Sequence, residues 1–229
     1  LAPAVSYAAC TGAHEPTLVD LDGDSDLDIA AACWGSSQVR VLANNGNGVF
    51  SSAATPTVGA DPHSIVGLDV DGDLDKDLAV ANHGGDSVTV LRNVGPMSFV
   101  ATTISVGDAP HSVRSGDLDG DGDADLVTAN DGADTVTVLL NSGGGSFSRV
   151  DISTGPTPKS VAIADINGDG DLDVLTANIT DNYPAVTSPD GDDVTILLGN
   201  GDGTFEPPVQ LTAPGTPFAV IAADLDGDA

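Results

Sequence analysis

Every second residue from Asp20 to Asp28 is an aspartate. The alternation returns at Asp69, Asp71, Asp73, Asp75 and Asp77, at Asp117, Asp119, Asp121, Asp123 and Asp125, and, with one amide, at Asp165, Asn167, Asp169, Asp171 and Asp173. Short carboxylates at alternate positions of a tight turn bring several oxygens onto one point, which is the donor set of a hard cation. Counted from the first Asp of each run, positions 1, 3, 5 and 9 supply side-chain oxygens. Position 7 (Asp26, Asp75, Asp123, Asp171) lends a main-chain carbonyl and points its carboxylate away. Gly23 sits between two ligands, where a bend without Cβ is useful. Calcium is favoured over magnesium because Mg2+ gives up its water reluctantly and rarely takes an all-protein cage. About four ions are expected, in structural roles. A fifth run keeps Asp224, Asp226 and Asp228 but lacks position 9, so it should bind weakly or not at all. Aspartates also make side-chain-to-backbone turns. Four runs in one register exceed that need, because unpaired carboxylates a few ångströms apart repel.

The rest of the composition agrees. Of 35 acidic side chains only Glu15 and Glu206 are glutamate, against 6 basic ones, for a formal charge of -29. A solvated acidic surface would use both acids, so the bias towards the shorter one reads as ligand. Four divalent ions would offset a little over a quarter of the charge, and removing them should loosen the fold as repulsion returns. Such a field repels phosphate backbones and anionic lipid heads, so neither nucleic acid nor direct membrane insertion is expected. No stretch approaches the ~18 apolar residues of a spanning helix.

The elements that hold these runs follow from the repeat. The first four runs start 49, 48 and 48 residues apart, and the fifth follows after 59, one insertion accounting for the difference. The first four copies share one order of signals: Pro-x-Ser-Val (Pro-His-Ser-Ile in the second, Ala-His-Glu-Pro in its place in the first), a short apolar run, the Asp run, a second apolar run closing on Ala-Asn (Ala-Cys in the first), a turn, a VTVLL-like run, a Gly/Asn turn, then Phe and an alternating stretch. Four short strands fit that length. The first two are apolar on nearly every residue, as when both sheet faces are covered. The fourth alternates, as an outer edge should. An all-β fold, a β-propeller of four-stranded blades spanning residues 1–229, is predicted. A β-solenoid competes, but its coils are usually shorter. The opening PAVSYAA is expected to be a lone outer strand.

These units resemble the FG-GAP/VCBS repeats of bacterial surface proteins and are similar to the calcium-binding blades of integrin α-subunit propellers. The Phe-Gly-Gly-Ala-Pro string is replaced by turns such as GNGVF and GDGTF, which puts integrin-like ligand recognition in question but not the fold. The resemblance implies a ring of about seven blades, of which this chain holds four and part of a fifth; a closed ring of four or five is the alternative.

Six residues before each run stand His14, His63, His111, Lys159 and Phe218. In a propeller this puts three imidazoles at the start of the first strand, near the axis and opposite the cation loops, where they could take a transition metal or an anion. A Pro-His-Ser consensus duplicated with the blade is the simpler account of the register. Cys33 replaces the Asn that closes the second strand elsewhere, and Cys10 lies in the connector entering the same copy, so a Cys10–Cys33 disulfide is expected, in keeping with an oxidising compartment. Trp34 on that face, and Tyr183 in an 11-residue insertion between Asn178 and Val194, are candidate glycan-stacking residues. No nucleophile motif or phosphate-cradling loop is present. The expected function is a secreted or cell-surface binding and adhesion scaffold for a protein or glycan on the face opposite the loops, with possible assembly with further blades or copies. A lectin and the accessory propeller of a polysaccharide-active enzyme are the alternatives.

Overall fold

The computed structural model describes residues 5–179, 193–213 and 215–223. Tyr183 and the run at 224–228 lie outside them. Among the described residues sixteen strands form four antiparallel sheets of four, each in sequence order. Blade one is β1 (Ala13–Val19), β2 (Asp28–Cys33), β3 (Gln38–Asn44) and β4 (Phe50–Ala54). Blade two is β5 (Pro62–Leu68), β6 (Asp77–Asn82), β7 (Ser87–Asn93) and β8 (Phe99–Ser105). Blade three is β9 (Pro110–Gly116), β10 (Asp125–Asn130), β11 (Thr135–Asn141) and β12 (Phe147–Ser153). Blade four is β13 (Pro158–Ala164), β14 (Asp173–Asn178), β15 (Asp193–Leu197) and β16 (Val209–Thr212).

The apolar runs become second strands because both of their faces are covered. Every residue of β6, β10 and β14 is buried. The outer strands β8 and β12 are largely exposed. The core lies between sheets: Val19, Leu21, Val39 and Val41 of blade one pack with Ile65, Leu78, Val80 and Leu91 of blade two, and equivalent clusters join blades two to three and three to four. Successive first strands lie side by side, β1 on β5, β5 on β9 and β9 on β13. The chain is therefore all-β, a stack of four four-stranded blades in the manner of a β-propeller.

One expectation is corrected. Residues 5–9 form no strand. The outer position of blade one is already filled by β4, so this segment docks through side chains instead. Tyr7 packs edge-on against Phe50 at 5.3 Å and donates its hydroxyl to Gly48 O, while Arg40 Nε donates to Ala9 O. Cys10 and Cys33 form a disulfide with a Cα–Cα distance of 5.9 Å.

Candidate metal centres and the histidine face

Each aspartate run links the first and second strands of its blade, and one hydrogen-bond pattern builds every loop. Position 1 folds back onto the turn: Asp20 accepts the N–H groups of Gly23 and Ser25 (2.8 and 2.9 Å), Asp69 those of Gly72 and Leu74 (2.8 and 3.0 Å), Asp117 those of Gly120 and Gly122 (2.8 and 3.1 Å), and Asp165 those of Gly168 and Gly170 (2.7 and 2.9 Å). The turn needs two left-handed residues. Gly23 stands at φ 79° and Gly72 at 75°, and two positions further on Ser25 and Leu74 adopt φ 74° despite their Cβ. Position 7 points away from the loop centre. Asp26, Asp123 and Asp171 lie instead against Gly46, Gly143 and Gly201, in the turns between third and fourth strands.

Positions 1, 3 and 9 converge. Oxygens of Asp20, Asp22 and Asp28, of Asp69, Asp71 and Asp77, and of Asp117, Asp119 and Asp125 come within 4.8 Å of one another, so each trio can hold a metal ion. Asp165, Asn167 and Asp173 occupy the same positions in the fourth loop. Position 5 is not drawn into these trios: Asp24, Asp73, Asp121 and Asp169 accept the N–H of position 7 at 2.8–3.0 Å. The donors are all oxygen, and Asp71 Oδ1 is buried with no hydrogen-bond partner among the described residues. A carboxylate oxygen held that way lacks a cation or a donor, so the second loop fits a hard metal ion.

As a sequence position, position 9 is a ligand alone, and its second task is visible only in the fold. Asp28, Asp77, Asp125 and Asp173 are fully buried. In the first three blades the carboxylate ties the loop to the third strand of its own blade, and in the fourth to Gly199 just beyond that strand: Asp77 accepts Val70 N–H and Asn93 N–H, both at 2.7 Å, and Asp125 accepts Leu118 N–H and Asn141 N–H, both at 2.7 Å. Burial pushes Asp77 and Asp125 up to about 6, and the neighbouring carboxylates at positions 3 and 5 add to the rise. Below that pH, a cation entering these loops has to displace protons.

At the other end of the first strands, roughly 20 Å away at ~3.3 Å per residue, all four histidines of the chain meet. His63 is central: its ring centroid lies 4.4 Å from His14, 4.1 Å from His111 and 5.5 Å from His83. Trp34, half exposed, closes one end at 5.4 Å from His14, and Phe218 stands 5.9 Å from His111. The structure thus brings together His14, His63, His111 and Trp34. It adds His83, which the sequence reading left unassigned. The signal was present: Trp34, His83, Asp131 and Ile179 repeat at the same 48–49 residue spacing, each directly after its second strand. Asp131 accepts from His83 Nε2 at 3.4 Å and from Lys159 Nζ. Burial opposes its ionisation, but these two donors outweigh it and hold the carboxyl below its usual range. Among the described residues no three imidazole or carboxylate atoms of this cluster converge as those of the loops do. The rings pack at tilted angles of 37–56° to His63 rather than aiming at a shared ion.

Burial first, then the neighbouring imidazole of His63 and the ammonium of Lys159, lower His111 to about 3. His63 is lowered by burial and by His14 and His83. From pH 6.5 down to about 3 the unfolded chain therefore carries a proton on His111 that the folded chain refuses, and stability falls with pH across that window. Above pH 6.5 the group contributes no pH dependence. With Ca2+ held in excess, His111→Gln is expected to flatten the acid limb of the curve of unfolding free energy against pH by up to about 1.4 kcal/mol per pH unit. Calorimetry between pH 7 and 5 checks this, and parallel curves for the two proteins would contradict it.

A family model described as FG-GAP-like repeat matches four times, over residues 20–80, 69–128, 117–176 and 181–229. No curated protein matches the sequence. Solved structures do. A lectin of Agrocybe aegerita, whose structure concerns recognition of non-reducing terminal N-acetylglucosamine, superposes with a TM-score of 0.57 at 22% identity over 91% of this chain and 53% of its own. A candidate 6-phosphogluconolactonase of Bacteroides fragilis gives 0.59 at 18% identity over 89% and 57%, and BBS1N, in complex with ARL6DN, gives 0.54 at 16% over 91% and 58%. At these identities the likeness concerns the fold, and the chain spans little more than half the length of each. The overlapping repeat matches cover all four aspartate loops in the register the strands display, and on that ground the chain belongs to the FG-GAP-like repeat family.

Proposed function

We propose that this chain is a calcium-stabilised extracellular β-propeller segment that binds a protein or glycan on the face opposite its aspartate loops, and that its role is binding and adhesion rather than catalysis. The convergence of positions 1, 3 and 9, repeated in three loops, carries the reading. A bound Ca2+ would supply the charge that lets three carboxylates share one point. The residues do the rest: position 1 shapes the turn, position 3 presents a free oxygen, and position 9 anchors the loop to its sheet. The Cys10–Cys33 disulfide supports an oxidising location. Among the described residues no helix is long and apolar enough to cross a membrane. Calcium titration by isothermal calorimetry is expected to give about four sites. Asp22→Asn, Asp71→Asn and Asp119→Asn should each remove or weaken one, and MgCl2 should compete poorly. Heat signals absent for Ca2+, or Mg2+ binding as tightly, would overturn the reading.

The exposed indole of Trp34, set edge-on against His14, favours glycan over protein as the ligand, because an exposed aromatic face is what a sugar ring stacks on. Loss of glycan-array signal in Trp34→Ala would support that choice. Binding to a protein partner that ignores the substitution would reject it.

A further inference from the structure

Buried hydrogen bonds join the first three aspartate loops in one unbroken line. Asp28 Oδ2 accepts Leu21 N–H at 2.9 Å, and Leu21 O accepts the side-chain amide of Asn93, from the next blade, at 2.9 Å. The Asn93 main-chain N–H donates to Asp77 Oδ1 at 2.7 Å, and Asp77 Oδ2 accepts Val70 N–H at 2.7 Å. Val70 O then accepts the side-chain amide of Asn141 at 2.9 Å, whose N–H donates to Asp125 Oδ1 at 2.7 Å. All seven residues are at most 2% exposed. Leu21 and Val70 each occupy position 2, between the carboxylates of positions 1 and 3. The side chain that clasps one loop is therefore mounted on the residue that the next loop's position 9 holds in place.

We propose that the loops at 20–28, 69–77 and 117–125 load cations cooperatively, coupled through the side-chain amides of Asn93 and Asn141. The proposal rests on the calcium reading above. Filling one loop locks its position 9 within the trio and fixes the attached Asn, which orders position 2 of the preceding loop before that loop is filled. A site ordered in advance costs less to occupy, and the effect is reciprocal by linkage. The fourth loop stands outside the relay. Gly199 takes the place of Asn93 and Asn141, donating its N–H to Asp173 Oδ1 at 2.8 Å, but it has no side chain to reach back; Leu118 O is met instead by the main-chain N–H of Gly203 at 3.1 Å.

The fourth blade also supplies the test, since glycine is native at that position. Calcium binding to the wild-type chain should be steeper than independent sites allow, with neighbouring loops coupled about 5-fold or more. N93G/N141G should bind the same number of ions with a Hill coefficient near 1. In the wild-type background, Asp71→Asn should weaken loops one and three at least fivefold and leave loop four unchanged, a readout that holds even if the glycine variants fold poorly. Independent sites in the wild type, or undiminished steepness in N93G/N141G, would overturn the coupling while leaving calcium binding intact. No calcium uptake at all would instead remove the reading on which it rests.

Discussion

Dialysis of the calcium-loaded protein against EDTA is expected to lower its unfolding midpoint by about 20 °C or more. A site filled at about 100 times its Kd stabilises the folded state by about 2.7 kcal/mol. Four such sites give about 11 kcal/mol, and in a chain of this size each kcal/mol moves Tm by about 2–4 °C. The direction has a second source, because a formal charge of -29 repels itself across four loops once the counter-charges leave. Differential scanning calorimetry in EDTA and in excess CaCl2 measures the shift. A difference below about 5 °C would mean that the loops are turns closed by their own hydrogen bonds.

Asp125→Ala should damage the protein even without metal, and Asp121→Ala should not. Asp125 is fully buried and accepts two main-chain N–H groups. Losing the carboxylate strands both donors, at about 1–3 kcal/mol each. Asp121 is exposed and accepts only the N–H of Asp123, so its loss in EDTA falls within the ±0.5 kcal/mol or so of an ordinary surface change. Chemical denaturation of both variants in EDTA separates the two roles. Equal stabilities would refute the anchoring role given to position 9. In CaCl2 the Asp125 variant should lose a binding site as well, a further drop that the metal-free comparison isolates.

Local chemistry made much of this protein legible in its sequence. Alternate aspartates in a nine-residue turn bend onto one point whatever surrounds them, because position 1 bonds to N–H groups only three and five residues ahead. The 48-residue period announced blades because four strands and four turns fill that length. Cys10 and Cys33 could be paired by noting that Cys33 interrupts a column of asparagines.

Contacts between blades were decided by the tertiary structure. His83 joins His63 and His111 only once β6 of one sheet ends beside β5 and β9, and nothing local distinguishes it from a turn residue. Position 9 reads as a ligand until the third strand of its own blade presents an N–H group to the carboxylate that already holds position 2 of the loop. Asn93 and Asn141 look like strand-end residues until the preceding blade offers a carbonyl more than seventy residues away in sequence. The division has one physical cause. Turns and pleats are set by bonds between near neighbours, which composition and spacing record, whereas the clustered imidazoles and the amide relay exist because separate sheets share a buried boundary, and the pairs that meet there are chosen by packing.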